Sequence, residues 1–286
     1  MNNKRVAILV DSGCDVPKEY QERYPIYQVS LKIIYRDGEY LDGVTISPQE
    51  VYDRLETEVP KTAQPSLEAI AEQFKKIRGD GFNTVLCVGI SSGLSGTINA
   101  MRLVAQEAND LEIHVLDTLS IGIGAGIHAM YAAELLDQGL PLDEVLEKVK
   151  DSIANTRIYY EVATLEYLAK GGRIGKVSAM LGSLLKIKPI ITCNEEGQYV
   201  VAKKVRGHVA ALATLVRLAM DEAKKWAHYR VIVAHGGAKE EGTRILEELK
   251  RRIPNAVDYI LSQISPALGV HTGPGLIGVC VHPIHS

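Results

Sequence analysis

An unbroken aliphatic run, Val6 to Val10, ends in Asp11, Ser12 and Gly13. A strand with no polar face belongs inside a sheet covered on both sides, with the polar turn at its C-terminal end. Ile26 to Tyr35 predicts a second strand, and Arg36-Asp37-Gly38 turns it back into Glu39-Tyr40-Leu41 as a hairpin. Ser47-Pro48-Gln49-Glu50 predicts a helix start: Ser47 caps, Pro48 suits the first helical position and Glu50 reaches back to the cap. Pro60 to Pro65 predicts a loop, after which Ser66 caps a helix over 67–78 that Gly79-Asp80-Gly81 closes. Strands follow over 84–88 and 113–116, an apolar helix lies within 119–136, and Pro141-Leu142-Asp143 opens another that runs to Asn155. Strands alternating with helices predict a mostly parallel sheet with helices on both faces.

The rhythm changes after Thr156. A strand over 158–162 precedes a Gly-rich helical segment, and strands over 187–193 and 199–205 flank Glu195-Glu196-Gly197 as an antiparallel hairpin. A helix over 208–225, a strand over 231–234, a helix over 240–251 and strands over 257–261 and 275–281 complete the pattern. The reading is therefore an α/β chain of two domains, 1–155 and 156–286, the second with a mixed or antiparallel sheet. No Pro/Ser-rich or charged linker separates the halves, which predicts close packing. A chain of 286 residues is long enough to enclose a deep cavity between them.

Charge narrows the partners. Lys and Arg number 32 against 35 Asp and Glu, so nothing drives the chain toward nucleic acid or an anionic membrane. Four scattered cysteines, Cys14, Cys87, Cys193 and Cys280, form no C-x-x-C pair and signal neither zinc nor a disulfide framework. With no signal-like apolar segment at its start, the chain is expected in a reducing cytoplasm. The stretch 119–136 carries His128, Glu134 and several glycines and reads as a buried helix, not a membrane span. Two Phe and one Trp imply an aliphatic interior, which suits an acyl chain and any ordinary core alike.

Two hydroxyl-rich loops lead into helix starts, where free amides and the helix dipole favour an anion: Thr62-Ala63-Gln64-Pro65-Ser66 and Ile90-Ser91-Ser92-Gly93-Leu94-Ser95-Gly96-Thr97. Such residues also serve as plain helix caps. Gly171-Gly172-Arg173-Ile174-Gly175-Lys176 forms a flexible basic corner, with Lys170, Lys186, Lys188, Lys203, Lys204 and Arg206 nearby in sequence. Phosphate or an acidic partner fits there, as does a solvated basic surface. Gly269-Val270-His271-Thr272-Gly273-Pro274-Gly275 places a histidine in a loop, where it could donate to a carboxylate or serve structure alone. Gly122, Gly124 and Gly126 remove volume from the start of the apolar helix, either for a ligand chain or for close helix packing.

Taken in order, VDSGCDVP, TAQPS, ISSGLSGT, DTLSIGIGAG, LEYLAKGGRIGK, IKPII, VRG, AHGG and GVHTGPG resemble the DegV family over essentially the whole chain. The resemblance implies two α/β domains with a long-chain fatty acid such as palmitate in a tunnel at their interface, and no cofactor or metal beyond that ligand. It implies a non-catalytic subunit that presents the acid's carboxyl group to a separate cytoplasmic fatty acid kinase subunit, with room for transient membrane contact. By motif position, Thr62 and Ser95 would hydrogen-bond the carboxyl group, Ser92 being the neighbouring alternative, and His271 would sit beside it. Arg173 would stand at the tunnel mouth, and Arg206 would serve partner docking or acyl-phosphate handling. The family often has serine where this chain has Ala63, so any contact made through that hydroxyl is missing here.

No G-x-x-x-x-G-K-[ST] or protein-kinase signature occurs, and Gly122, Gly124 and Gly126 do not make G-x-G-x-x-G, so an intrinsic kinase is not expected. The rival reading is a serine hydrolase. Gly89-Ile90-Ser91-Ser92-Gly93 satisfies G-x-S-x-G after a strand, and Asp117 and His271 follow in α/β-hydrolase order, which would make Ser91 a nucleophile. That reading leaves the TAQPS loop and the GGRIG corner unexplained. A lipid-binding regulator without a kinase partner is a third reading.

Overall fold

The structure, a computed structural model, describes residues 5–181 and 187–284. Strand β1 (Val6–Asp11) lies between β2 (Ile26–Val29) and β6 (Thr84–Gly89), with β7 (Glu112–Asp117) beyond β6, and every pairing is parallel. Alternation along β1 and β6 sorts their side chains onto two faces. Ala7, Leu9, Val85 and Cys87 pack with helices α3 (Leu67–Gly79) and α4 (Thr97–Ala105). Ile8, Val10, Leu86 and Val88 face the other way, toward α5 (Ile123–Asp137). The predicted helix-covered parallel sheet is therefore present.

Two local expectations need correction. Ile26 to Tyr35 is not one strand: β2 ends at Val29, and β3 (Lys32–Tyr35) belongs to a separate small sheet with β4 (Gly38–Leu41) and β5 (Lys61–Ala63). The break is fixed by Ser12, whose hydroxyl accepts the Leu31 amide at 2.9 Å and so draws the chain out of the first sheet. Residues 60–65 are not all loop, because β5 pairs antiparallel with β3 and sets Thr62 opposite Ile33. The capping box stands as read: Ser47 accepts the Glu50 amide, and Glu50 takes the Ser47 amide at 2.8 Å, ahead of α2 (Pro48–Arg54).

The remaining strands build a six-stranded sheet in the order β10 (Tyr199–Arg206), β9 (Ile187–Cys193), β8 (Arg157–Glu161), β13 (Leu276–Pro283), β11 (Tyr229–Gly236) and β12 (Asp258–Gln263). Only β11 and β12 pair in parallel, which makes the sheet mixed as expected. Its outer face carries α8 (His208–Ala223) and α9 (Lys239–Arg252) over Val231, Val233, Ile277 and Val279. Its inner face turns Ile158, Tyr160, Ile232 and Cys280 toward α5, α6 (Leu142–Asn155) and α10 (Pro266–Thr272). The short α1 (Lys18–Arg23) packs beside β2, and the short α7 (Glu166–Lys170) beside α10.

Helix α5 thus touches β1 and β6 on one side and β13 on the other. A helix enclosed along most of its length has almost no polar face, which explains its largely apolar sequence, with Glu134 and Asp137 confined to the C-terminal end. Small residues let both sheets approach. A methyl group on Gly126 would lie 2.0 Å from the Cys14 carbonyl oxygen, so close packing is the reason for that glycine. Alanine in a helix normally gains up to about 1 kcal/mol over glycine. Here the sign reverses: Gly126→Ala is expected to lose about 1–3 kcal/mol or more in urea unfolding through overpacking. Gly79→Ala, at an exposed helix end with nothing within 4 Å, is expected to be neutral or stabilising in the same titration.

Candidate functional site

Segments far apart in sequence converge on one cavity of about 160 Å³. Strand β5 brings Thr62, the turn after β6 brings Leu94 and Ser95, and the approach to α5 brings Ile121 and Ile123. Helix α10 adds Leu268 and His271, while Ile158, Tyr160 and Tyr199 rise from the inner face of the second sheet. Most of the wall is aliphatic or aromatic. Polar side chains also line the cavity: Thr62 Oγ1 lies 2.7 Å from His271 Nε2, Gln64 abuts the backbone next to Ser95, and Arg173, Thr272 and the hydroxyl-bearing Tyr160 and Tyr199 complete the set.

His271 is not in a loop. Ser265 caps α10 by accepting the Leu268 amide, Pro266 takes the first helical position, and His271 sits in the last turn before Gly273 at φ 67°. Two carboxylates from the first half of the chain hold the start of this helix. Asp15 accepts the Ser265 amide at 2.9 Å and Asp42 accepts the Ala267 amide at 2.8 Å, while Ser12 donates to Asp42 at 2.6 Å. Amides at a helix start are the expected partners for a carboxylate. Gly171 completes the placement, since a methyl group there would lie 2.0 Å from His271 Nδ1. The glycine of the basic corner makes room for the imidazole of the GVHTGPG segment.

Electrostatics follow from burial. His271 has its pKa pushed down to about 4, first by loss of solvent and second by the positive charge of Arg173, so the ring is neutral at pH 7. Its Nδ1 is buried without a hydrogen-bond partner among the described residues. An orphaned N–H is rarer and costlier than an orphaned lone pair, which favours the tautomer with the proton on Nε2, donated to Thr62. The Thr62 hydroxyl proton is then free for a ligand. Ser95 has a similar arrangement: its Oγ accepts the Thr97 amide at 3.3 Å and lies 2.9 Å from the Thr97 hydroxyl, which can donate to it.

Four of the expected site residues, Thr62, Ser95, His271 and Arg173, share the cavity; two do not. Ser92 is exposed and absent from the lining; its amide donates to the Asp117 carboxylate at 3.2 Å. Arg206 is exposed at the end of β10, also away from the cavity. The hydrolase constellation does not assemble. Ser91 is fully buried and donates to the Gly197 carbonyl at 2.8 Å, Asp117 binds the Ser92 and Leu119 amides, and His271 bonds Thr62. A nucleophile needs its base within hydrogen-bond reach, and Ser91 has a main-chain partner instead.

The basic corner is partly neutralised. Lys170 pairs with Glu166 at 2.5 Å, Lys176 with Glu196 at 3.4 Å, and Lys188 with the buried Glu161 at 2.8 Å. Lys186 lies outside the described residues. Arg173 donates only to the Gly171 carbonyl, at 2.8 Å, among the described residues. Sequence reasoning missed Gln64, Tyr160 and Tyr199 as lining residues. Gly96 held a clue to the first, because a side chain there would lie 2.1 Å from Gln64 Oε1.

Comparison with known proteins agrees with this architecture. The family model described as "Uncharacterised protein, DegV family" matches residues 5–283. A DegV domain-containing protein of Clostridium acetobutylicum is 42% identical over 278 residues, covering 97% of this chain and 99% of that one. The structure of a DegV family protein from Thermus thermophilus, described as binding fatty acid, superimposes with a TM-score of 0.92 at 28% identity, covering 98% of this chain and 100% of that one. A stearic acid-binding protein from Eubacterium ventriosum gives a TM-score of 0.89 at 29% identity, covering 98% of each chain. With a matching model over nearly its full length and a close relative aligned end to end, the chain belongs to the DegV family.

Proposed function

We propose that this protein binds one long-chain fatty acid in the cavity and presents its carboxyl group to a separate kinase subunit in the cytoplasm. The observation that carries the reading is the Thr62–His271 pair, set beside Ser95 in a cavity whose other walls are mainly apolar. Likeness to structures described as binding fatty acids supports it.

Tail burial dominates the energetics. About fifteen methylenes at ~0.8 kcal/mol each give on the order of 12 kcal/mol before the cost of association. A cavity of about 160 Å³ is close to the ~150 Å³ that takes a single benzene. The tail therefore needs aliphatic wall residues such as Leu31, Leu268 and Leu276 to move aside. The head group meets neutral donors, the free protons of Thr62 and Ser95, with one cation, Arg173, lining the same cavity. A carboxylate held by hydroxyls keeps more nucleophilicity than one clamped by a bidentate guanidinium. In the proposed transfer a carboxylate oxygen attacks the γ-phosphorus of a nucleotide on the partner, the bond to the leaving diphosphate breaks, and an acyl phosphate remains in the cavity.

Mass spectrometry of protein from a bacterial host is expected to show one fatty acid per chain; apo protein alone after gentle purification would overturn the reading. Thr62→Val and Ser95→Ala each remove a hydrogen bond to a charged acceptor, about 1.5–3 kcal/mol, so affinity should fall roughly ten- to hundred-fold in a fluorescent fatty acid titration.

A third test uses pH. The folded His271 pKa of about 4 lies below the unfolded value near 6.5, so the unfolded chain binds the extra proton and stability is lost as pH falls between those values. His271→Gln removes that term. The gap in unfolding free energy between wild type and variant should shift toward the variant by about 1–3 kcal/mol from pH 7 to pH 4.5, the upper figure being discounted for partial exposure. A gap that stays constant with pH would show that His271 titrates normally.

Arg206 lies outside the cavity, and its proposed role is docking. Arg206→Ala should leave bound lipid unchanged while lowering acyl-phosphate formation by the kinase subunit and its sensitivity to salt. Loss of lipid with an intact kinase reaction after reloading would contradict that role.

A further inference from the structure

Next to the first cavity lies a second, of about 470 Å³, which the fatty acid reading leaves unused. Ile158 lines both. Three pieces of chain run along the pair. Residues 121–123 line the first and 118–120 the second; on β8, Tyr160 lines the first and Ile158 both; across the β9–β10 hairpin, Tyr199 lines the first and its cross-strand partner Cys193 the second. Ile158 Cδ1 packs where a methyl group on Gly124 would come within 3.0 Å. One aliphatic side chain, seated against a glycine, stands where the two spaces meet.

The second space differs in chemistry. Thr118, Ser120, His128, Thr156 and Asn194 are among its walls. Two of their buried atoms, His128 Nε2 and Thr156 Oγ1, have no hydrogen-bond partner among the described residues. The His128 ring is fixed from its other nitrogen: Nδ1 lies 2.9 Å from Ser152 Oγ, which lies 2.8 Å from His282 Nε2. Burial pushes the His128 pKa down to about 3, so the ring is neutral and Nε2 presents either a lone pair or an N–H. Buried polar atoms in folded proteins are nearly always satisfied, and an orphan asks for a partner. A hydroxyl both donates and accepts, so it suits an imidazole nitrogen in either tautomer and a threonine hydroxyl as well. A methylene suits neither.

We propose that the second cavity is a distal subsite of the lipid site, which takes the hydroxyl-bearing part of a hydroxylated long-chain fatty acid, and that Ile158 is the side chain that yields to admit it. The inference rests on the fatty acid reading of the first cavity and names a narrower ligand class for it.

The test compares stearate with a series of stearates hydroxylated at successive mid-chain carbons, each titrated into delipidated wild-type protein. At least one hydroxylated acid is expected to bind roughly ten-fold tighter than stearate, the size of one satisfied buried hydrogen bond. Thr156→Val, which keeps the shape and removes the hydroxyl, should bring the ratio of the two affinities toward one, with a melting curve confirming that the variant folds. Stearate binding as well as or better than every hydroxylated acid would overturn the proposal while leaving the fatty acid reading intact. So would a ratio unchanged in Thr156→Val. Failure of wild-type protein to bind any of the acids would overturn both.

Discussion

Helix α5 is enclosed from opposite sides by two sheets, and most of the architecture follows from accommodating it. A helix with almost no solvent face can carry few polar groups, and those it buries need partners within the core. His128 is the clearest case: it is fully buried and finds Ser152 on α6. Side-chain bulk is restricted on both sides as well. Gly126 lets the Cys14 carbonyl approach on one side, and Gly124 lets Ile158 approach on the other. The first cavity lies near the N-terminal end of the helix, where Gly122 adopts φ 60° and Ile121 and Ile123 line it. The same glycine segment thus serves both packing and the site, at different positions.

A second constraint acts where Thr62 and His271 line the cavity. Asp15 and Asp42 come from the first half of the chain and bind amides at the start of α10, which belongs to the second sheet's side. The Thr62–His271 contact joins the same two halves one helix length away. A displacement of α10 would therefore break the clasp and the Thr62–His271 contact together, and the position of His271 depends on contacts at the far end of its helix. In the proposed reading, ligand affinity and the packing of the halves would be coupled through one short helix.

Regular elements with strong periodicity were legible in the sequence: β1, β6, α5 and the β9–β10 hairpin lie where the pattern puts them. What escaped was decided by long-range contacts. The division of Ile26–Tyr35 carries no glycine or proline and depends on the Ser12 hydroxyl, whose nearness to Leu31 arises only in the fold. Strand β5 is three residues long and exists because β3 is beside it. The helical setting of His271 was readable, since Ser265-Pro266 repeats the Ser47-Pro48 start signal, but the glycines on either side drew attention to a loop. Thr62, Ser95, His271 and Arg173 were found through motifs and do share the cavity. Ser92, one residue from the buried Ser91, turns outward because the loop's hydrogen bonds point Ser91 at Gly197. Ile158, Tyr160 and Tyr199 could not be found that way, because an apolar strand residue looks the same whether it lines a cavity or fills a core.

The buried acids bear on how an anion enters such a place. Asp11, Asp15 and Asp42 are each held by backbone amides or a hydroxyl, with no cation paired to them among the described salt bridges. Burial raises all three pKa values, Asp11 to about 7 and Asp15 well above its ordinary value. Asp15 lies against Gly122 in the cavity wall, where a full negative charge would repel a ligand carboxylate. A raised pKa lowers that charge near neutral pH, so the repulsion is weaker than three free aspartates would exert. The same shifts oppose those of the histidines. A carboxyl whose folded pKa is raised favours the fold below its window and loses that contribution as pH rises, whereas neutral buried histidines lose theirs as pH falls. The His271 and Asp11 trends overlap between about 4 and 6.5, and the two act against each other on the slope of stability there. Ligand binding enters that balance directly. A carboxylate placed against Thr62 and Ser95 favours protonation of its neighbours, so an occupied cavity should pull both the acids and His271 toward their protonated forms.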